Sequence, residues 1–329
     1  LPFKPLILIT TMILSGCSFQ ADINDTTGEY SQRLASVLDH PGAELADMPP
    51  LPVPPKQQTS KDTLQISIKD FYQLRDCSLY SLVAERNTAL GKIQAPSQRY
   101  IYELKLLQAL QSCLNSTQDA ALKQQLRHWQ QQKQTALNLQ WQRLLESEEI
   151  RHALGRNSGW VQSKQTDRLS ETRQSLQYLL SLSPESAQPH HSGELEQHLQ
   201  QLQQARLMAR VFRTQRMLQL HLSALTQWLH ARDIQCPDGK ALEQVKYLRN
   251  VFGLFFVKQI QPLASRTNDI YYQLMPLWQS LLQAHPPMSD WLDQRQTEFE
   301  HYRHSLSEHI RFWQVLFEKC NLSPPANQP

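Results

Sequence analysis

Residues 194–232 read ELEQHLQQLQQARLMARVFRTQRMLQLHLSALTQWLHAR, and their reading decides the fold. Leu195, Leu199, Leu202, Leu207, Val211, Leu218, Leu222, Leu225 and Leu229 recur at helical spacing, which gathers them on one stripe and leaves Gln and Arg on the opposite face. At the standard rise one uninterrupted helix here would be ~60 Å long. Composition agrees with this reading. The 329 residues hold only nine Gly and as many as 43 Gln, with abundant Leu and few alternating Val or Ile runs, so helix is favoured over strand.

The same period extends along the chain. Ile68, Phe71, Leu74, Ser78 and Leu82 mark a helix over 64–90, with Gly91 where a C-cap is expected. Ser97 reads as the N-cap of the next helix, to about Asn115. Further helices are predicted over 119–154 and 161–182. The apolar run Val251–Ile260 is expected to be kinked or ended by Pro262. A helix over 268–284 follows, and a last one, capped by Ser289 or Asp290, runs to about Lys319. Short loops between long amphipathic helices predict an all-α fold, an elongated bundle of antiparallel helices that can divide into two stacked sub-bundles.

Apart from Cys17, the cysteines are Cys77, Cys113, Cys236 and Cys320. Cys77 lies fourteen residues before Gly91 and Cys113 fifteen after Gln98, so the two thiols reach nearly the same height on an antiparallel hairpin. That pairs Cys77 with Cys113 and leaves Cys236 with Cys320, which suits an oxidising compartment. In the chain-entropy model each bridge contributes roughly 4–5 kcal/mol at most.

Leu14-Ser-Gly-Cys17 closes a short apolar run that follows Lys4. Such a run is too short to span a bilayer and reads as a lipoprotein signal, with Cys17 acylated as the mature N-terminus. Ser18, not Asp, follows the cysteine and fits outer-membrane sorting on the periplasmic side. The expected organisation is a signal peptide over 1–16, a tether and Pro-rich linker over 17–62, a bundle over 63–323 and a disordered tail over 324–329. Five prolines between Pro49 and Pro55 predict an extended polyproline II segment, read mainly as chain laid across the body.

No catalytic motif is present: Gly-x-Ser-x-Gly, His-Glu-x-x-His and the P-loop are all missing. Glu149 with His152, and Glu298 with His301, have the spacing of di-iron bundle ligands, but solvated helix surface is the expected reading. Glu146-Ser147 and Glu185-Ser186 match only the first two residues of a lytic-transglycosylase pattern. His190-His191 reads as loop. Arg206, Arg210, Arg213 and Arg216 form a partial basic stripe that would suit lipid phosphates or an acidic partner, but matching by acids four residues away or by neighbouring helices is the expected reading. Net charge is only +3 and the basic residues are scattered, so nucleic acid is not an expected partner. No cofactor or metal is expected.

The most specific-looking stretch is Ala84-Glu-Arg-Asn-Thr-Ala-Leu-Gly-Lys92 followed by Pro96-Ser-Gln-Arg-Tyr-Ile-Tyr-Glu103. With the lipobox, the Pro-rich linker and the paired cysteines, it resembles a family of uncharacterised gammaproteobacterial lipoproteins defined as a domain of unknown function. The resemblance covers nearly the whole mature chain and implies no activity. In that stretch Glu85, Arg86, Asn87, Gln98, Arg99 and Glu103 flank one hairpin tip, where they can lock the turn or form a recognition patch. The expected function is a membrane-anchored, non-enzymatic helical module that binds another envelope protein. The alternatives are a cell-wall hydrolase or metal-dependent enzyme using Glu149, His152, Glu298 or His301, and a carrier of an apolar ligand beside Val251–Ile260.

Overall fold

A computed structural model describes residues 22–56, 72–86, 95–155, 159–162, 168–186 and 193–325. Cys17 and the signal, the linker from 57 to 71, Asn87, Gly91, His190 and His191 lie outside these ranges. The fold is all-α, with no strand among the described residues.

The chain enters the body earlier than expected. Asp22 caps α1 (Ile23–Leu38), its Oδ1 accepting from the backbone N–H groups of Asn24 and Asp25 at 2.8 and 3.0 Å. Tyr30 and Leu34 of α1 are fully buried in the main core, so residues 22–56 are part of the folded body and not a tether. After Asp39 ends α1 in the left-handed region, the chain crosses the bundle as an extended strap. The indole of Trp228 donates to the Pro41 carbonyl at 2.9 Å and Arg151 Nε donates to that of Pro54 at 3.1 Å. The Pro-rich segment thus lies across the body, with the Pro54 carbonyl met by a side chain of the bundle.

Two helices follow as a disulfide-closed hairpin, α2 (Leu79–Arg86) and α3 (Pro96–Ser116). Cys77 and Cys113 are bonded, with Cα atoms 5.4 Å apart. Ser97 is not the cap. Ala95 takes that position with Pro96 in the first turn, and the Ser97 hydroxyl reaches another helix. The helix expected over 119–154 is two: α4 (Ala120–Leu145), capped by Asp119, and α5 (Glu148–Leu154), capped by Ser147. The one expected over 161–182 shortens to α6 (Leu169–Ser181), while the Val161 N–H is held by Thr214 Oγ1 at 3.0 Å.

The stretch that decides the fold is also two helices, α7 (Leu195–Ala205) and α8 (Leu207–His230). Arg206 sits between them at φ 46°, a left-handed conformation that ends α7 as a C-cap would. The break lets α7 pack on α5 and α6 while α8 turns to pack on the last helix. One straight helix could not reach both.

Helix α9 (Glu243–Val251), a π-helical segment (Phe252–Ile260) and α10 (Gln261–Leu282) form one continuous run. Pro262 neither ends nor sharply breaks it. Proline lacks an N–H and its ring clashes with the carbonyl four residues back, and the wider π turns before it shift the bonding to five residues. The Gln261 N–H accordingly donates to Phe256 O, and Gln259 Nε2 donates to Leu254 O at 3.0 Å. The last helix, α11 (Pro286–Lys319), is capped by His285 and not by Ser289 or Asp290.

Helices α8 and α11 form the most extensive pair. Phe212 meets Trp291, Ser223 meets Ser305 and Thr226 meets His309, so they run in the same direction. The antiparallel partner is the intervening α9–α10 run. Cys236, just past α8, bonds Cys320, just past α11, and clamps the two ends together.

There are two apolar clusters. The main one takes in α1 and α5–α11 with the root of α3 and α4, while Leu79, Val83, Leu106, Leu110, Leu126 and Trp129 belong to a smaller one formed by α2 and the outer parts of α3 and α4.

Gly155 tests the strap. A β-carbon there would run into the Pro54 ring and lie 3.0 Å from Pro52 O. Gly155→Ala should lower stability by about 1–3 kcal/mol through overpacking and raise proteolysis between residues 40 and 56, measured by denaturant melts and limited digestion.

Candidate functional site

The hairpin residues are gathered by the structure, but around a lock. Glu103 is fully buried between α3 and α4; Arg99 approaches it at 2.6 Å from one turn earlier, and Lys133 of α4 approaches at 3.3 Å. Lys133 was not singled out from sequence, where it is one basic residue in a Gln-rich run. Its partner could be found only by aligning α3 against α4. The Arg99 guanidinium lies over the Tyr102 ring, 5.3 Å from its centre. Burial first, then the negative charge of Glu103, pushes the Tyr102 hydroxyl up to about 12, against the lowering pull of Arg99 and Arg86. Gln98 and Ser97 point the other way, both donating to Glu196 Oε1 of α7 at 2.6 Å. This set therefore joins α3 to α4 and to α7, and its acid is sealed from solvent. The ionic layer lies between the two apolar clusters, with Tyr100, Leu104 and Leu137 on one side and Leu106, Trp129 and Val83 on the other.

The metal-spaced pairs are spent locally. His152 Nε2 lies 3.1 Å from Glu148, and its other ring nitrogen meets the Gln203 amide at 3.2 Å. Glu298 holds Arg295 at 3.1 Å, and His301 is exposed. Among the described residues no three His, Cys, Asp or Glu side chains converge to hold a metal. Glu146 instead makes a buried pair with His285 at 2.8 Å, and the second imidazole nitrogen accepts the Met288 N–H at the start of α11. A ring with one nitrogen accepting from a backbone N–H donates through the other, so His285 is a neutral bridge between the end of α4 and the cap of α11.

The inward face of the apolar run Val251–Ile260 is closely packed, while Leu254 is exposed. Phe252 stacks on Phe256 and Trp313, and Phe255 stacks on Tyr30. At its centre is His309, fully buried on α11. Thr226 Oγ1 lies 2.9 Å from its Nδ1, and the Thr226 hydroxyl donates to Leu222 O at 2.6 Å. With the threonine proton committed, Nδ1 is the donor of that bond and Nε2 is the acceptor. Trp313 donates to Nε2 at 3.1 Å, and the Tyr30 hydroxyl lies 3.0 Å from it. Burial pushes the imidazole down to about 3 and the Tyr30 hydroxyl well up. This polar centre joins α1, α8, α11 and the π segment.

Two cavities on the surface of the described residues bear on a candidate site. One, of about 420 Å³, has Leu229, Ile234, Phe312 and Val315 on its walls near the Cys236–Cys320 bridge. The other, of about 330 Å³, includes Glu185, Ser186 and Trp141. Residues of the Val251–Ile260 run line neither.

Glu103 answers two cations, so removing it strands buried charge while removing Lys133 leaves the acid paired with Arg99. Glu103→Leu should cost about 3–5 kcal/mol and Lys133→Met clearly less, and adding Lys133→Met to Glu103→Leu should recover part of the loss, read in a double-mutant cycle by chemical denaturation.

The His309 proton has a definite sign. Unfolded, the ring takes up a proton near pH 6.5, but folded it does so only near 3, so stability is complete above ~6.5 and declines as pH falls toward 3. His221, also pushed down by burial, acts in the same sense. In thermal melts from pH 7 to pH 3, His309→Gln should lose less stability than the parent, by up to about 1.4 kcal/mol for each pH unit in the window.

No curated protein matches the chain, and no solved structure does. A family model does match, over residues 27–324, from the middle of α1 to the residues just past α11. The chain therefore belongs to the family described as "Protein of unknown function (DUF3080)".

Proposed function

We propose that this chain is a helical protein-binding module of the cell envelope, held on the periplasmic side of the outer membrane through an acylated Cys17. The observation that carries the reading is the arm beyond the Glu103–Lys133 layer. There α2, α3 and α4 build a separate apolar cluster, pack chiefly on one another, and are closed by Cys77–Cys113. A lever with its own core and covalent staple keeps its shape away from the main body, as a docking element must. Two bridged cysteine pairs suit an oxidising compartment, and the Leu14-Ser-Gly-Cys17 stretch supplies the anchor. No helix among the described residues is long and apolar enough to cross a membrane.

A photocrosslinking residue placed in intact cells at Arg127 or Gln131, exposed on α4, should yield the same protein adduct from both positions, and none from exposed Gln314 on α11. Adducts from Gln314 alone, or from none of the three, would sink the reading. Cys17→Ala should move the protein from the membrane to the soluble fraction; retention on the membrane would remove the anchor.

A further inference from the structure

The arginines of α8 lack the acids that usually match a basic helical stripe. Arg210 and Arg213 stand on the first two turns of α8 and Arg206 at the break before it, all half-buried; Arg206 Nε donates to Gln203 O at 3.0 Å, and no carboxylate among the described residues comes within 4 Å of the three. Among the described residues the side chains of Arg210 and Arg213 make no hydrogen bond, and the Nε atom of each is buried without a partner. Arg168 flanks the stripe, bonded to Gln204 Oε1 at 3.4 Å and to Glu171 at 2.7 Å. The Arg213 guanidinium lies over the half-buried Trp160 indole, 4.3 Å from its ring centre.

The position of this stripe is as informative as its charge. Trp160 Nε1 donates to Asp22 Oδ2 at 3.1 Å, so Arg213 and Trp160 stand where the chain enters the folded body. Only four residues lie between Cys17 and Asp22, five steps of the chain and a reach of at most about 18 Å even fully extended. Asp22 itself already accepts from two backbone N–H groups and the indole, and Asp25 is the other acid of this first turn.

We infer that Arg206, Arg210 and Arg213, with Trp160, form a membrane-facing patch that docks on anionic phospholipid headgroups beside the acyl anchor. The inference rests on the reading of Cys17 as the lipidated residue, because that fixes which end of the molecule meets the bilayer. Arginine forks bind phosphate oxygens, and an indole is at home at the headgroup level. Beside the acyl chains a basic patch supplies a further attachment, which orients the body and whose attraction fades within a Debye length. The short tether keeps the stripe near that range. Such docking would fix the orientation of the body on the membrane and so the direction in which the arm points.

The test separates the patch from the anchor by using the chain from residue 17 to 329 carrying Cys17→Ser, free of acyl groups. This protein should cosediment with vesicles of phosphatidylethanolamine containing phosphatidylglycerol, weakly and in a salt-sensitive way, and not with phosphatidylcholine vesicles. Arg210→Gln and Arg213→Gln should each weaken binding about fivefold and together roughly 25-fold. Arg311→Gln, exposed near the far end of α11, should leave binding unchanged, and matching circular dichroism melts confirm that each variant is folded. Equal binding by parent and double variant, or no binding by the parent, overturns the patch and leaves the anchor untouched. If the double variant keeps its vesicle binding but loses the α4 crosslink, the arginines serve a protein interface and the inference fails. If the patch binds lipid as expected while Cys17→Ala leaves the full protein on the membrane, the anchor alone is at fault.

Discussion

The structure depends on keeping one imidazole uncharged. His309 is reached from four elements far apart in sequence, by Tyr30 of α1, Thr226 of α8, Trp313 of its own helix and Phe256 of the π segment. A neutral ring with one nitrogen donating and one accepting satisfies the polar groups aimed at it. A protonated ring there would have two donors, no acceptor for Trp313, and no counter-charge in contact. The apolar packing around it and its hydrogen bonds support one another, and α1 could not lie against α8 and α11 without both. The second centre, Glu103 with Arg99 and Lys133, is ionic. Buried pairs of that kind contribute little net stability, but they penalise every register of α3 on α4 that leaves a charge alone.

These centres divide the labour between a body and an arm. The body is wrapped from outside by the strap and clamped at one end by Cys236–Cys320, while the arm has its own small core and its own bridge. The ionic layer marks the join. A polar seam between apolar clusters keeps the two cores from merging and fixes where one stops.

Much of this was legible in sequence because it follows from local periodicity. The all-α class came from leucine spacing, and the cystine pairing from counting residues on either side of Gly91. The division of 119–154 was also readable, since Ser147 followed by Glu148 and Glu149 is a helix-start signal inside a longer apolar pattern. The break at Arg206 was not: no glycine or proline marks it, and Ala205 and Leu207 are both buried on either side. What forces that turn is the demand of α5 and α6 on α7, a tertiary cause invisible to a local window. His309 and Tyr30 stand 279 positions apart, and nothing in either neighbourhood announces the other. Pro262 reads in sequence as a kink or an end because proline costs a helix one bond, but a change of helical pitch upstream absorbs that cost over several turns. The candidate patch around Glu103 was found as a set of residues, while its role needed the depth at which Glu103 lies. Cys17 and Asn87 lie outside the described residues.

The direction of α1 has a mechanical consequence. Asp22 lies beside Trp160, which Arg213 covers, Thr27 touches His221, and Tyr30 meets His309 beside Thr226, so α1 runs alongside α8 in the same direction. A pull on residue 22 along that axis would load the buried contacts of α1 in shear, all at once. A pull across the axis would instead unzip them one turn at a time under a much smaller force.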